Sequence, residues 1–216
     1  MHEPLRTKVR GGFLYNLRGQ GKRMVRVAVD AMGGDNAPGE IVKGCLEALR
    51  KSPEVKILLC GKPEVLEKQL AGQSYPAERL ETVPASEVIE TGDSPVVSVR
   101  KKKDSSLVVG MKLIREERAD AFVSAGNSGA ILVGGQVLVG RLPGVERAPF
   151  APLLPTEDGG ATLLLDSGAN VDAKAPHLVQ FAQMGSLYME RALGIRSPRV
   201  AILNVGLEEE KGNALV

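Results

Sequence analysis

An α/β fold with a largely parallel sheet is predicted by three features of the sequence. Short runs rich in Val, Ile and Leu recur along the chain, each followed by a glycine-bearing polar loop and then by a segment of helical periodicity. Trp is absent and aromatic residues make up 3% of the chain, so the core must be built from Val, Leu, Ile and Ala, as buried parallel strands are. The most polar, glycine-rich loops fall at the carboxyl ends of the predicted strands, where sheets of this kind bind ligands.

Folded structure is expected to begin near Val25. Val25–Val29 reads as a buried strand, followed by a loop through Pro38 and a helix with Ile41, Cys45, Leu46 and Leu49 on one face. Val55–Cys60 is the next strand. Pro63 suits the first turn of the helix that carries Val65, Leu66 and Leu70. Leu80–Val83 is a third strand. Ser94-Pro95 opens a short helix running into Arg100-Lys-Lys-Lys103, and Asp104-Ser-Ser106 caps a longer one through Arg118. Ala121–Ser124 is a strand whose glycine-rich turn leads into an apolar helix ending near Gly140. Phe150–Leu154 and Ala161–Leu165 read as a hairpin joined by Thr156-Glu-Asp-Gly-Gly160. A long helix follows from about Ala175 to Leu193, then a final strand, Val200–Val205. The chain stops soon after that strand, as a polar loop opens, so a missing C-terminal part is expected.

The composition narrows the functional classes. At 216 residues and 43% hydrophobic content the chain can bury a core, and a net charge of +2 is too small to argue for nucleic acid. That charge is uneven: residues 1–23 carry +5 and the remainder −3. The basic segment lacks the apolar run of a signal peptide and reads as a disordered or non-native extension, leaving 24–216 as the folded domain. No run approaches the roughly 18 apolar residues of a membrane span. Cys45 and Cys60 lie in apolar runs without metal-ligand spacing, as small core residues in a reducing cytoplasm do. No Gly-x-Ser-x-Gly elbow accompanies His177, which reads instead as a polar residue in a helix's first turn.

Four loops are dense enough in polar groups to carry chemistry. In Asp30-Ala-Met-Gly-Gly-Asp35, Gly33 and Gly34 let the backbone approach a ligand between the carboxylates of Asp30 and Asp35; a tight turn with a helix cap is the plainer alternative. Ser124-Ala-Gly-Asn-Ser-Gly-Ala130 opens a helix, where free N–H groups and the dipole favour phosphate. Ser124, Asn127 and Ser128 would add side-chain bonds there, and Gly126 and Gly129 would admit the anion; the same residues also suit an ordinary glycine-rich turn. The loop is neither a Walker motif nor Gly-x-Gly-x-x-Gly, which leaves a dinucleotide cofactor poorly supported. Asp166-Ser-Gly-Ala-Asn170-Val-Asp172-Ala-Lys174 crowds two carboxylates, an amide and an ammonium into one turn, although Asp and Asn are common turn formers and Asp172 is a candidate helix cap. Without His or a second acidic cluster, no metal is expected. In Asn204-Val-Gly206-Leu-Glu208-Glu-Glu-Lys211-Gly-Asn213, Lys211 is either a solvated ion-pair partner or the holder of a phosphate or oxyanion. The lysines after Arg100 suit solvent, or steering of an acidic partner.

Taken in order, these segments resemble the bacterial phosphate acyltransferase (PlsX) family. The matching stretches are Val27–Asp35, Lys102–Ser106, Ser124–Ala130, Leu164–Lys174, Gln180–Gly185, Pro198–Gly206 and Lys211–Asn213, and the resemblance covers about Met24 to Val216. Met24 falls where the family's chains normally start. Ser128 stands where the family usually has Thr, and the family's Lys-Pro-acid run is replaced by Ala173-Lys-Ala-Pro176. The family also continues well beyond Val216. The resemblance implies a doubly wound α/β fold akin to phosphotransacetylases and isocitrate dehydrogenases. It implies transfer of a fatty acyl group from acyl carrier protein to inorganic phosphate without a cofactor, feeding a membrane glycerol-3-phosphate acyltransferase that starts phospholipid synthesis. A homodimer in the cytoplasm, peripheral at the inner face of the membrane, goes with that reading. Its expected roles are a phosphate cradle of Ser124, Gly126, Asn127, Ser128 and Gly129; catalytic groups Lys211, Asn204, Asn213 and Asp166; and a substrate cleft lined by Asp30, Gly33, Gly34, Asp35, Asn170, Asp172 and Lys174. The alternatives are an NAD(P)-dependent dehydrogenase of similar fold and a non-catalytic binder of acyl carrier protein.

Overall fold

The structure, a computed structural model, describes residues 24–206, 208 and 211–213. The expected basic extension, 1–23, lies outside them. The chain divides into two compact units between Leu142 and Pro143.

The first unit is a four-stranded parallel sheet in the order β3-β2-β1-β4, formed by β1 (Val25–Asp30), β2 (Val55–Gly61), β3 (Leu80–Pro84) and β4 (Ala121–Val123). The sheet grows from β1 through β2 to β3. The chain then crosses back and lays β4 along the other edge of β1, with Val27 opposite Ala121 and Val29 opposite Val123. That reversal makes a topological switch point between the carboxyl ends of β1 and β4.

Alternation along the strands divides the core between the two sheet faces. Val29, Ile57 and Leu59 pack with Val42, Cys45, Leu46 and Leu49 of α1 (Gly39–Lys51) and Leu66 of α2 (Pro63–Leu70). Ala28, Leu58 and Cys60 point the other way and pack with Leu113 of α4 (Ser106–Arg115). Helices thus cover both faces, and the doubly wound architecture expected from the sequence is observed. A 3₁₀ turn at Ala77–Arg79 precedes β3. From it Arg79 donates to the carbonyls of Leu49 (2.8 Å), Ser52 (3.0 Å) and Val55 (3.4 Å), joining the end of α1 to the start of β2.

Helix α3 (Pro95–Lys101) begins at the predicted Ser94-Pro95. Ser105 caps α4 by accepting from the Val108 N–H. That helix closes at Arg115 rather than Arg118, because Glu117 takes a left-handed conformation (φ 57°) and the N–H groups of Arg118 and Ala119 turn back to the Leu113 carbonyl. The apolar helix after β4 is α5 (Ser128–Gly134), which widens into a π-helical stretch over Gly135–Val139 before Gly140.

In the second unit, β5 (Leu153–Pro155) and β6 (Ala161–Leu163) pair antiparallel as the expected hairpin, and α6 (Ala175–Leu193) is the long helix. Gly185 lets α6 approach the chain at the end of β6, since a Cβ there would run into the side chain of Leu165, two residues beyond the strand. The predicted strand Val200–Val205 is not formed. Its residues pair with no strand among the described residues, and Leu203 and Val205 are 86% and 84% exposed. Apolar alternation makes a strand only where a neighbouring edge supplies hydrogen-bond partners.

Replacing Arg79 by Met keeps the aliphatic stem but removes three carbonyl contacts. The expected loss is about 1.5–3 kcal/mol of stability, read as a lower denaturant midpoint at unchanged m-value.

Candidate functional site

The site begins at the last residue of β1. Asp30 is 2% exposed, and the parallel pairing of β1 with β4 sets Ser124 beside it. Ser124 Oγ donates to Asp30 Oδ2 at 2.7 Å and accepts from the Gly126 N–H at 3.0 Å. Asp30 Oδ1 accepts from the Met32 N–H at 3.2 Å. One carboxylate therefore holds the first turn of its own loop and, through Ser124, the first turn of the loop after β4.

The glycines let those loops touch. A Cβ on Gly33 would collide with the Asp30 carboxylate and lie 3.0 Å from the Gly126 Cα. Gly34 has a φ of +108°, a left-handed conformation natural only to glycine, and lies against Ala125, its methyl group and carbonyl both close. Asp30, Gly33, Gly34, Ser124 and Gly126, chosen from two segments far apart in sequence, are thus brought together. Asp35 and Ser128 are solvent-exposed, and Gly129 packs on Pro95, the first residue of α3.

Asn127 is 7% exposed, and its side chain is engaged within the protein. Its Oδ1 accepts from the Ala130 N–H at 2.9 Å, capping α5. Its Nδ2 faces the carbonyls of Glu90, Thr91 and Asp93 at 3.3, 3.0 and 3.0 Å. Asn127 shapes the loop, and Ser128 beside it is exposed. Asp93, which sequence reasoning did not single out, joins the same network. It accepts from the Glu90 N–H at 2.9 Å and from Lys102 Nζ at 2.6 Å, and the Lys102 hydrogen bond holds its carboxyl below the usual carboxylate range. Its position before Ser94-Pro95 marks a turn, but nothing in the sequence links it to residue 127.

Beside Asp30 in the sheet register is Cys60, whose thiol is pushed up to about 12 by burial and, secondarily, by the Asp30 charge. It remains a thiol and offers no nucleophile near neutral pH. The groove between α1 and α2, about 320 Å³ and lined by Val42, Lys43, Leu46 and Arg50 among others, contains none of the candidate residues.

In the second unit Asp166 is likewise an organiser. Its Oδ1 accepts from the N–H groups of Phe150 (2.7 Å) and Ala169 (3.2 Å), and its Oδ2 from the backbone and side-chain N–H groups of Asn170 (2.6 and 3.1 Å). Asn170 Nδ2 also donates to the Ala148 carbonyl at 3.0 Å, so the pair fastens residues 148–150 to the loop. Asp172 is exposed, and the cap of α6 is Lys174 instead. The Lys174 N–H donates to His177 Nδ1 at 3.1 Å, and His177 Nε2 lies 3.1 Å from Glu146 Oε2. Asn204 Nδ2 donates to the carbonyls of Gly206 (3.2 Å) and Lys211 (3.1 Å), curling the last loop on itself. Lys211 and Asn213 are exposed.

A family model described as fatty acid synthesis protein matches residues 25–216. A phosphate acyltransferase of Thermoanaerobacter pseudethanolicus is 51% identical over 192 residues, covering 89% of this chain and 56% of that protein. One of Heliobacterium modesticaldum is 52% identical over 193 residues, covering 89% and 57%. The chain thus spans little more than half the length of the curated relatives it matches. Among solved structures, a phosphotransacetylase from Streptococcus pyogenes superposes with a TM-score of 0.60 at 16% identity, over 81% of this chain and 56% of that one. The EutD phosphotransacetylase from Staphylococcus aureus gives 0.54 at 17% identity, over 80% and 54%. At that identity the likeness is one of fold.

Two substitutions probe the loops. Gly33→Ala forces a methyl group into the Asp30 carboxylate and is expected to cost about 1–3 kcal/mol, with faster hydrogen exchange at the Gly126 amide. Asp166→Ala strips acceptors from three backbone N–H groups. It is expected to cost about 1.5–3 kcal/mol and to speed exchange at the Phe150 and Asn170 amides while leaving β1–β4 protected.

Proposed function

The chain belongs to the fatty acid synthesis protein family, and on that premise we propose that this protein is a phosphate acyltransferase that makes acyl phosphate from acyl-[acyl carrier protein] and inorganic phosphate. The observation that carries the reading is the junction of two glycine turns at the carboxyl ends of β1 and β4, fixed by the Ser124–Asp30 hydrogen bond. Open sheets bind ligands at such a switch point. The turn after β4 runs into the N-terminus of α5, where backbone N–H groups favour an anion. The names of the relatives support acyl transfer to phosphate in preference to the dehydrogenase alternative.

Phosphate is already a nucleophile near neutral pH, so the chemistry asked of the protein is positioning and charge stabilisation. A phosphate oxygen attacks the thioester carbonyl carbon, the C–O bond forms, and the C–S bond breaks. The carrier thiolate leaves and takes up a proton, and acyl phosphate is released. In our assignment the loop Ser124–Ala130 cradles the phosphate through its backbone N–H groups and the Ser128 hydroxyl. Lys211 supplies positive charge to the developing oxyanion or to the product, and Asn204 and Asn213 set the loop that presents it. Asp30 and Asp166 act as organisers: their lone pairs are occupied by N–H and O–H donors, which limits the repulsion they exert on an anion. Asp35, Asp172 and Lys174, all exposed, are assigned to the rim of the substrate cleft. Acyl carrier protein as donor, a homodimer, a cytoplasmic location at the membrane's inner face and a membrane glycerol-3-phosphate acyltransferase downstream complete the proposal. No helix among the described residues is long and apolar enough to cross a membrane.

Incubating the protein with acyl-[acyl carrier protein] and radiolabelled phosphate is expected to yield labelled acyl phosphate. Lys211→Ala should lower that yield at least about tenfold, the scale of one lost charge-assisted contact. If wild type binds the carrier protein but makes no labelled product, the protein is a binder; if only the variant is unchanged, Lys211 has no part in the step.

A further inference from the structure

Three lysines, 101 to 103, follow one another at the end of α3, and among the described residues only the middle one has a side-chain partner. Lys102 Nζ donates to the Val88 carbonyl at 2.7 Å and to Asp93 Oδ2 at 2.6 Å. Lys101 and Lys103 are exposed. The two contacts of Lys102 close the segment 88–93 from both ends. Inside it, Asp93 Oδ2 also takes the Glu90 N–H, and the Asp93 N–H returns to the Glu90 carbonyl at 3.1 Å. The turn so formed aims three carbonyls, those of Glu90, Thr91 and Asp93, at one amide, Asn127 Nδ2.

Three convergent acceptors orient an amide more firmly than any one of them would. With Nδ2 fixed, Oδ1 is fixed on the Ala130 N–H, and the turn 124–130 is held by a second set of contacts besides those of Asp30. We propose that Lys102 is a positioning residue of the anion loop: through Asp93 and the carbonyls of residues 90–93 it orients Asn127, and so sets the backbone N–H groups that receive phosphate. The proposal rests on the reading of Ser124–Ala130 as the phosphate loop, and it assigns Lys102 no contact with phosphate. The ion pair is partly exposed, with side chains 32% and 29% accessible, so its value lies in geometry. It also separates one lysine from the solvent-steering role that a run of three suggests.

The test uses this chain, with inorganic phosphate as the probe and NMR of the Asn127 side-chain amide and the Gly126 and Ala130 backbone amides as the readout. Lys102→Met is expected to shift all three resonances and to weaken phosphate binding about tenfold, the scale of a lost charge-assisted hydrogen bond. Lys101→Met and Lys103→Met remove the same charge nearby and should leave both readouts within about twofold of wild type, which separates positioning from charge steering. Lys102→Arg should restore most of the affinity. Asp93→Asn, which keeps the shape of the turn, should reproduce the Lys102→Met shifts and covers the case in which that variant fails to fold. Unmoved Asn127 and Ala130 resonances in Lys102→Met or Asp93→Asn overturn the proposal, as does an equal loss of affinity in all three lysine variants. If wild type binds no phosphate at this loop, the phosphate-site reading fails, and the positioning of phosphate fails with it. The Asn127 shift then still reports whether the clasp itself exists.

Discussion

Parallel pairing of β1 with β4 is the constraint from which the candidate site follows. β1 ends in Asp30 and β4 is followed directly by Ser124, and each leads into a glycine turn. Only side-by-side placement lets the buried Asp30 carboxylate take the Ser124 hydroxyl at 2.7 Å. A buried carboxylate without donors is costly, so this pairing also stabilises the fold it depends on. The switch of strand order sets the two turns side by side, and Asp30 holds both.

Acidic residues are frequent around loops proposed to hold an anion, and their hydrogen bonds resolve the apparent conflict. Asp30, Asp93 and Asp166 each face several donors of the protein itself. A carboxylate whose lone pairs are so occupied acts as a fixed anchor for backbone turns and carries less repulsion toward a neighbouring anion. Asn127 follows the same logic with an amide.

Element types were largely legible because buried parallel strands and amphipathic helices leave strong periodic signals. Val55–Gly61 and Ala175–Leu193 fall where apolar spacing and flanking glycine or proline set them. The failure at Val200–Val205 has a plain cause: its apolar alternation matches a strand, but ladder partners are a property of neighbours and no local pattern encodes them. At the candidate site, residue types were legible and roles were not. Asn127 looked like a ligand and is engaged as a clasp, Asp172 looked like a cap where Lys174 is one, and Asp93 gave no signal beyond its turn.

By itself, the sequence determined the fold class, the succession of strands and helices, and the loops in which polar and glycine residues concentrate, because these depend on spacing within a few residues. Only the tertiary structure decided the order β3-β2-β1-β4, the meeting of Gly33 with Gly126, and which carboxylates and amides are consumed holding loops in place. Those outcomes depend on contacts between residues up to 94 positions apart, such as Asp30 and Ser124, whose partners are chosen by how the sheet closes around its core.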